Sequence, residues 1–298
     1  MAKACLIVHS LSLPYVRRIV LALHAQIQSC FGLDCPLLVA DEIDCAEHQE
    51  HCRVFVIGES FARFTRRQGC TYVYLNFSVI AVLGSPFGLS LKGWQLIRYK
   101  QRLLRDKLDL FDALLDYYPA QTSHLATRLP LPVLPFLPWV ASQDAAKAIP
   151  FSARPFDICV VGSASKRRRL ILTTLERQEI CLSPTFGVDI EDCATQSRAT
   201  LNIHMERSSH FEIPRIIGAM SAGSPVITEE SLGIDAVVPR EMLYIAKYHD
   251  LPRVALKAMN DRVALAERAE QAREWYDDFY LLRAADLFSD SAFRVMTR

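Results

Sequence analysis

No apolar run in this chain approaches the ~20 residues that a membrane-spanning helix needs. Neither sign of charge dominates. Lys and Arg number 34 against 33 Asp and Glu, leaving a formal net charge of +1, so nothing global argues for nucleic acid or an acidic polymer as a partner. No secretory leader is expected from residues 4–8 (ACLIV), which are too short for its apolar core and run straight into His9. The cysteines are nine, an odd number without tight regular spacing. A reduced, cytoplasmic compartment fits that better than a disulfide framework.

What remains is a core-forming composition, 51% hydrophobic and 22% charged, over 298 residues. That length accommodates two domains of about 150 residues each. Short apolar runs alternate with helical patterns. ACLIV at Ala4–Val8, LLVA at Leu37–Ala40, RVFVI at Arg53–Ile57 and TYVYL at Thr71–Leu75 read as strands of a parallel sheet, buried on both faces. Pro14 opens a helix with Val16, Ile19, Val20 and Leu23 on one face. Gly58-Glu59-Ser60 is expected to start another helix. Trp94–Leu115 is a long amphipathic pattern, one element or two, with Phe111–Leu115 as a candidate strand. Pro119–Arg128 reads as helix.

Residues 129–140 (LPLPVLPFLPWV) hold four prolines, which forbid a helix and favour an extended crossing. The composition of SQDAAKAIPFSARP then suggests a linker, with the domain boundary between about 138 and 153. Beyond it, Asp157–Val161 is a strand, Gly162–Ser165 a turn and Lys166–Gln178 a helix. Strand–helix pairs continue to about residue 248. A charged helix spans Asp261–Tyr280, and a last one lies near Leu281–Phe288.

Two segments carry the candidate chemistry. In the first, Ala199–Val238, a strand leads through a polar loop to a helix that starts at about Pro214. Gly223 is placed to stop that helix in the left-handed conformation. Its N-terminus is an anion site by dipole and open N–H groups. Arg207 and Arg215 are positioned to add charge-assisted bonds to a diphosphate. Glu212, just before the helix, either accepts paired hydroxyls of a sugar or closes a capping box with Ser209; Pro214 argues against the capping register. In the second segment, Gly162-Ser163-Ala164-Ser165 leads into Lys166-Arg167-Arg168-Arg169. This is neither a Walker A loop nor GxGxxG. Basic residues in a first helical turn oppose the dipole, so they mark a nearby anion or simply a solvated face.

Together these pieces, PFDICVVGSASKRRRLILTTL and LNIHMERSSHFEIPRIIGAMSAGSPVITEE, resemble the nucleotide-sugar-binding domain of glycosyltransferases with the GT-B fold. The likeness is nearest to the branch that includes spore-maturation-like glycosyltransferases, and it covers about residues 155–240. The resemblance implies two Rossmann-like domains facing across a cleft: residues 1–145 on the acceptor side, residues 146–298 holding the donor, with terminal helices crossing back. It implies metal-independent glycosyl transfer from a nucleotide sugar to an acceptor hydroxyl on a saccharide, lipid-linked glycan or protein, with no cofactor. Gly162, Ser163 and Arg168 would then face the donor phosphates, and Glu212 and Arg215 would hold the donor from the second loop. Many retaining members carry two glutamates eight positions apart here. This chain has Met220 at that spacing and Gly218 before Ala219, so the stereochemical outcome does not transfer.

An inverting transfer needs a base on the acceptor hydroxyl. His9 and Glu59, each following a strand, are the candidates; the alternatives are a turn histidine and an N-cap glutamate. Cys45, His48 and Cys52 would share a face if helical, with Cys70 as a fourth zinc ligand, but the spacing matches no standard zinc motif. Tyr72, Tyr74, Phe77, Trp94 and Tyr99 are core aromatics or stacking surfaces. Trp94, Leu96, Ile97, Arg98, Lys100 and Arg102 form either a core helix or a basic, partly apolar patch for the inner face of a membrane. Two rival functions stay open: a non-catalytic nucleotide- or sugar-binding protein, and a nucleotide-sugar epimerase of the same fold.

Overall fold

The computed structural model describes residues 3–32, 34–43, 51–58, 60–80, 91–141, 149–160, 162, 165–183, 190–205 and 210–296. The chain divides into two compact units. The first takes residues 1–86, 91–139 and 283–298, the second residues 87–90 and 140–282.

In the first unit, β1 (Lys3–His9), β2 (Leu37–Ala40), β3 (His51–Ile57), β4 (Thr71–Asn76), β5 (Ala113–Asp116) and β6 (Val133–Pro135) form one parallel sheet in the order β2-β1-β3-β4-β5-β6. Leu6 pairs with Leu37 on one side and Phe55 on the other. The apolar run Ala4–Val8 is at most 2% exposed, as expected of a strand covered on both faces. Helices α1 (Leu13–Phe31), α2 (Leu91–Arg105) and α3 (Pro119–Ala126) accompany the sheet. Pro14 lies in the first turn of α1, and Ile19, Val20, Leu23 and Ile27 are its buried stripe.

The long pattern after Trp94 resolves into α2, a 3-10 turn at Leu108–Leu110, and β5. Asp112 fastens the entry to β5 by accepting the Tyr72 N–H at 2.8 Å and pairing with Arg66 at 2.7 Å.

The helix expected from Gly58–Ser60 does not form. Gly58 has φ +109, and a Cβ there would lie 2.6 Å from His9 Cβ. The chain therefore turns sharply against the end of β1. Phe61 enters the core, and Phe64 makes a parallel bridge to Ile43. Cys52 stands in strand β3, so the helical face expected to align it with Cys45 and His48 is absent at that position. Cys45 and His48 lie outside the described residues.

In the second unit, β7 (Phe156–Cys159), β8 (Ser197–Asn202), β9 (Val226–Glu229) and β10 (Leu243–Ala246) form a parallel sheet in the order β10-β9-β8-β7. Leu182 adds a parallel bridge to Ile158 of β7. Each sheet thus reverses its order beside its first strand, between β1 and β3 in one and between β7 and β8 in the other. In open α/β sheets the carboxyl side of such a reversal is where ligands bind.

Helices α4 (Lys166–Glu176), α5 (Ile190–Thr195), α6 (Ile213–Ser221), α7 (Leu251–Asn260) and α8 (Arg262–Trp275) follow. α6 ends in a Schellman motif: Ser224 N–H bonds Ala219 O, Gly223 N–H bonds Met220 O, and Gly223 has φ +60. Buried Arg154 donates to the carbonyls of Ala222, Gly223 and Ser197. The end of the linker is thereby tied to a helix C-terminus, where a cation is favoured.

A π-helical turn, Tyr276–Tyr280, separates α8 from α9 (Leu281–Met296). From residue 283 on, α9 belongs to the first unit. It runs beyond the expected end at Phe288 because Ala284, Phe288, Ala292 and Val295 continue one buried stripe. Phe288 meets Phe55, Phe136 and Trp139, and Ser291 Oγ donates to Pro135 O at 2.8 Å.

Candidate functional site

At the reversal of the second sheet, β7 leads to Gly162, and Ser165 then caps α4 by accepting the Arg168 N–H at 3.2 Å. Gly162 has φ +121, and a Cβ there would lie 2.7 Å from Arg168 Nη1 and 2.9 Å from Arg215 Nη2. Glycine is required for both reasons: the backbone conformation, and two guanidinium groups lying against the main chain.

Arg168 is 1% exposed. Its Nε donates to Ile203 O at 2.8 Å, and its Nη2 lies 3.8 Å from Glu212 Oε1. Arg215 pairs with the same carboxylate and donates to Asn202 Oδ1 at 3.3 Å. Two cations thus share one carboxylate. Burial first, and then Arg215, push the Arg168 pKa down to about 10. The excess positive charge, held by fixed groups, suits an anion.

The basic run at the start of α4 splits by role. Lys166 and Arg169 are exposed. Arg167 forms a two-pronged pair with Glu229, at the end of β9, and lies 3.9 Å over the Tyr248 ring. Glu229 also accepts the His204 N–H at 2.7 Å. The dipole-opposing charges are therefore offset by Glu229 and Glu212.

The N-terminus of α6 differs from expectation. The Ile213 N–H bonds Phe211 O, Pro214 has none, and the N–H groups of Arg215 and Ile216 both reach Glu212 O. These amides are engaged, because Pro214 tightens the first turn. The open amides are on α4, where Lys166 and Arg167 N–H carry no hydrogen bond among the described residues. Glu212 is the N-cap residue itself, without a side-chain cap bond, so it does not sit at the third helical position that a capping box requires. A Cβ at Gly218 would meet Ile190 Cγ2 at 2.8 Å and Glu191 Oε1 at 3.0 Å. The contact with α5 leaves no room for a side chain at Gly218.

Gly162, Arg168, Glu212 and Arg215 are thus brought together. Ser163 and Arg207 lie outside the described residues, as does Glu59. Sequence reasoning did not single out Asn202, His204 and Glu229. The signal for them was polar side chains at the carboxyl ends of apolar strands, in LNIH and VITE.

At the reversal of the first sheet, His9 ends β1 and is 3% exposed. Its Nδ1 accepts the Leu11 N–H at 3.1 Å, its Nε2 lies 3.8 Å from Asp41 Oδ1, and its ring meets the Phe61 ring edge-on with centroids 4.9 Å apart. Ser10 Oγ donates to the same aspartate. Farther along this edge Asp116 is fully buried. It accepts from Asn76 Nδ2, Gln121 Nε2 and Thr122 Oγ1 at 2.6, 2.9 and 3.0 Å. Burial outweighs those bonds and pushes its carboxyl up to about 6. Among the aromatics, Tyr72 and Tyr74 are core, Phe77 stacks on Tyr117, and Tyr99 is exposed.

No family model matches the chain, and no curated protein matches its sequence. Solved structures do. HepE from Anabaena in complex with UDP and glucose aligns with TM-score 0.62 and 10% identity, over 99% of this chain and 100% of that one. Sucrose-phosphate synthase from Thermosynechococcus elongatus aligns with TM-score 0.61 and 12% identity, over 100% and 99%. TarM aligns with TM-score 0.58 and 11% identity, over 94% of this chain but 58% of its own. The chain spans little more than half the length of TarM and of the pneumococcal O-GlcNAc transferase GtfA. At these identities the likeness defines the fold: an α/β chain of two Rossmann-like units, the GT-B type. Among the described residues no helix is long and apolar enough to cross a membrane.

Proposed function

We propose that this chain is a glycosyltransferase that moves a sugar from a nucleotide-activated donor to an acceptor hydroxyl without a metal, nearest in its motifs to the spore-maturation-like branch. The observation that carries the reading is Gly162, with the guanidinium groups of Arg168 and Arg215 against its backbone, at the reversal of a Rossmann-like sheet. Several structures of the same fold were solved with UDP, HepE and GtfA among them, which supports a nucleotide-sugar donor.

The second unit holds the donor. Arg168, Arg215 and the open amides of α4 receive the diphosphate, joined by Gly162, Ser163 and Arg207. Glu212 exchanges part of its pairing with Arg215 for donor hydroxyls. The first unit serves the acceptor. Because the His9 Nδ1 accepts the Leu11 N–H, the neutral ring carries its proton on Nε2, toward Asp41; Nδ1 exchanges the Leu11 N–H for the acceptor hydroxyl and takes its proton, and Asp41 favours the imidazolium that results. The acceptor oxygen bonds the anomeric carbon as the bond from that carbon to the diphosphate oxygen breaks. The diphosphate leaves with the electron pair, its charge met by preorganised cations.

Purified protein incubated with UDP-, GDP- and dTDP-sugars should release the nucleoside diphosphate from one of them, and His9→Ala should lower that rate at least 100-fold with donor affinity retained. Binding without release from any donor would favour the second reading, a non-catalytic sensor, to which the missing second glutamate, replaced by Met220, lends support. Full turnover by His9→Ala would remove His9 from the mechanism.

A further inference from the structure

The carboxyl end of β4 runs into a turn, residues 76–80, whose backbone is held by side chains. Asn76 Oδ1 accepts the Ser78 N–H at 3.0 Å, and Asn76 Nδ2 donates to Ser78 O at 2.9 Å. From α3, Gln121 Oε1 accepts the Ile80 N–H at 2.8 Å, and Gln121 Nε2 donates to Ser78 O at 3.2 Å. From α2, Gln101 Nε2 donates to Ile80 O at 2.7 Å and Lys100 Nζ to Ser78 Oγ at 2.9 Å. Within the turn, half-buried Phe77 stacks on Tyr117 with ring centroids 5.9 Å apart. The turn lies at the carboxyl edge of the first sheet, the side on which open α/β sheets receive ligands.

Both amides take their orientation from Asp116, the last residue of β5. Its Oδ1 receives a second N–H from each of Asn76 and Gln121, and Thr122 Oγ1 and the Tyr118 N–H are further donors. A carboxylate only accepts. It therefore obliges Asn76 and Gln121 to present nitrogen, which leaves their oxygens to the Ser78 and Ile80 N–H groups. A neutral carboxyl group must instead place a hydrogen among these donors, and a flipped amide oxygen can receive it. Flipping either amide turns its nitrogen toward a backbone N–H and undoes that clamp. Burial is the largest influence on Asp116 and, against its donors, raises the pKa to about 6. Around it, β4 and β6 bring no charged residue. Lys100 is the cation bonded to the turn from α2, while Arg98, Arg102 and Arg105 of α2 and His124 of α3 line the groove between those helices.

We propose that Asp116, as a carboxylate, is a positioning residue that fixes the turn 76–80, and Phe77 with it, at the acceptor edge of the first unit, and that its protonation releases the turn. Asp116 acts through Asn76 and Gln121 and touches no substrate. The role rests on the reading of the first unit as the acceptor side, but its test needs no turnover.

Full-length protein labelled with nitrogen-15 in serine and isoleucine is followed by NMR as pH is varied on both sides of the Asp116 pKa. In the wild type the Ser78 and Ile80 amide signals should move together, with one midpoint near pH 6. The wild-type titration needs no variant, and still signals across this range would overturn the proposal. Asp116→Asn carries a neutral group of the same shape. Its two amide signals should hold the wild-type low-pH positions throughout. Signals that stay at the wild-type high-pH positions would show that the clamps do not need the carboxylate. A midpoint that survives in the variant would assign the titration to His124. Both results would overturn the role of Asp116. Calorimetry with UDP, GDP and dTDP should give wild type and Asp116→Asn equal affinity, because the donor belongs to the second unit. A tenfold loss in the variant would mean that Asp116 acts on more than the acceptor edge, against the proposal. No nucleotide binding by either protein, alongside the expected NMR titration, would count against the transferase reading and leave the Asp116 clamp standing.

Discussion

Gly162→Ala tests the diphosphate site at its narrowest point. The backbone at φ +121 strains any side chain, which costs roughly 1–3 kcal/mol. The new methyl would also press on Arg168 Nη1 at 2.7 Å and Arg215 Nη2 at 2.9 Å. Ordinary van der Waals separation there is about 3.4 Å, so both guanidinium groups must retreat by about half an ångström or more. Arg168 is fixed by its bond to Ile203 O, so much of the displacement falls on Arg215. A charge-assisted hydrogen bond contributes about 1.5–3 kcal/mol, and losing one from a bound diphosphate should weaken binding at least tenfold. Gly32→Ala is the control: Gly32 has φ +106, but nothing lies within 4 Å of its Cβ position. Both variants should lower the melting temperature by a few degrees. Only Gly162→Ala should lower nucleoside diphosphate affinity, measured by calorimetry. Equal affinity in the two variants would refute the reasoning.

Two other perturbations address the frame around the sites. Glu229→Ala leaves Arg167, 17% exposed, without its carboxylate; urea unfolding should show a loss of about 3–5 kcal/mol, and a loss under about 1 kcal/mol would mean the pair is idle. Asp116 titrates near 6 in the fold against 3.8 for the free group. It therefore contributes stability that is complete below about pH 4 and is lost as pH rises to about 6, a total of about 3 kcal/mol. Asp116→Asn should abolish that fall between pH 4 and 6 in denaturant titrations; an unchanged slope would show that another group titrates there.

The two-unit α/β frame was legible because a strand buried on both faces must be apolar throughout, and ACLIV, RVFVI and TYVYL declare it. Pro14, Pro214 and Gly223 marked helix ends because their backbone restrictions act locally. The false helix after Gly58 arose where a long-range contact decided the outcome: the glycine is needed for the approach of His9, which composition does not reveal. The same limit hid Glu229, whose partner Arg167 is remote in sequence, and the occupied amides of α6. The cluster of Gly162, Arg168, Glu212 and Arg215 was accessible because each residue flanks a strand end, where the fold gathers ligand-facing groups. Their mutual pairing was not, since one carboxylate shared by two arginines is a matter of three-dimensional distance.

The account rests on cationic groups beside Gly162 receiving a diphosphate. Calorimetric titration of UDP, GDP and dTDP into the wild type and Arg215→Gln measures this directly. Saturable binding of one nucleotide, weakened at least tenfold in the variant, is the result predicted. No binding of any of the three at millimolar concentration, or equal affinity in the two proteins, would contradict it.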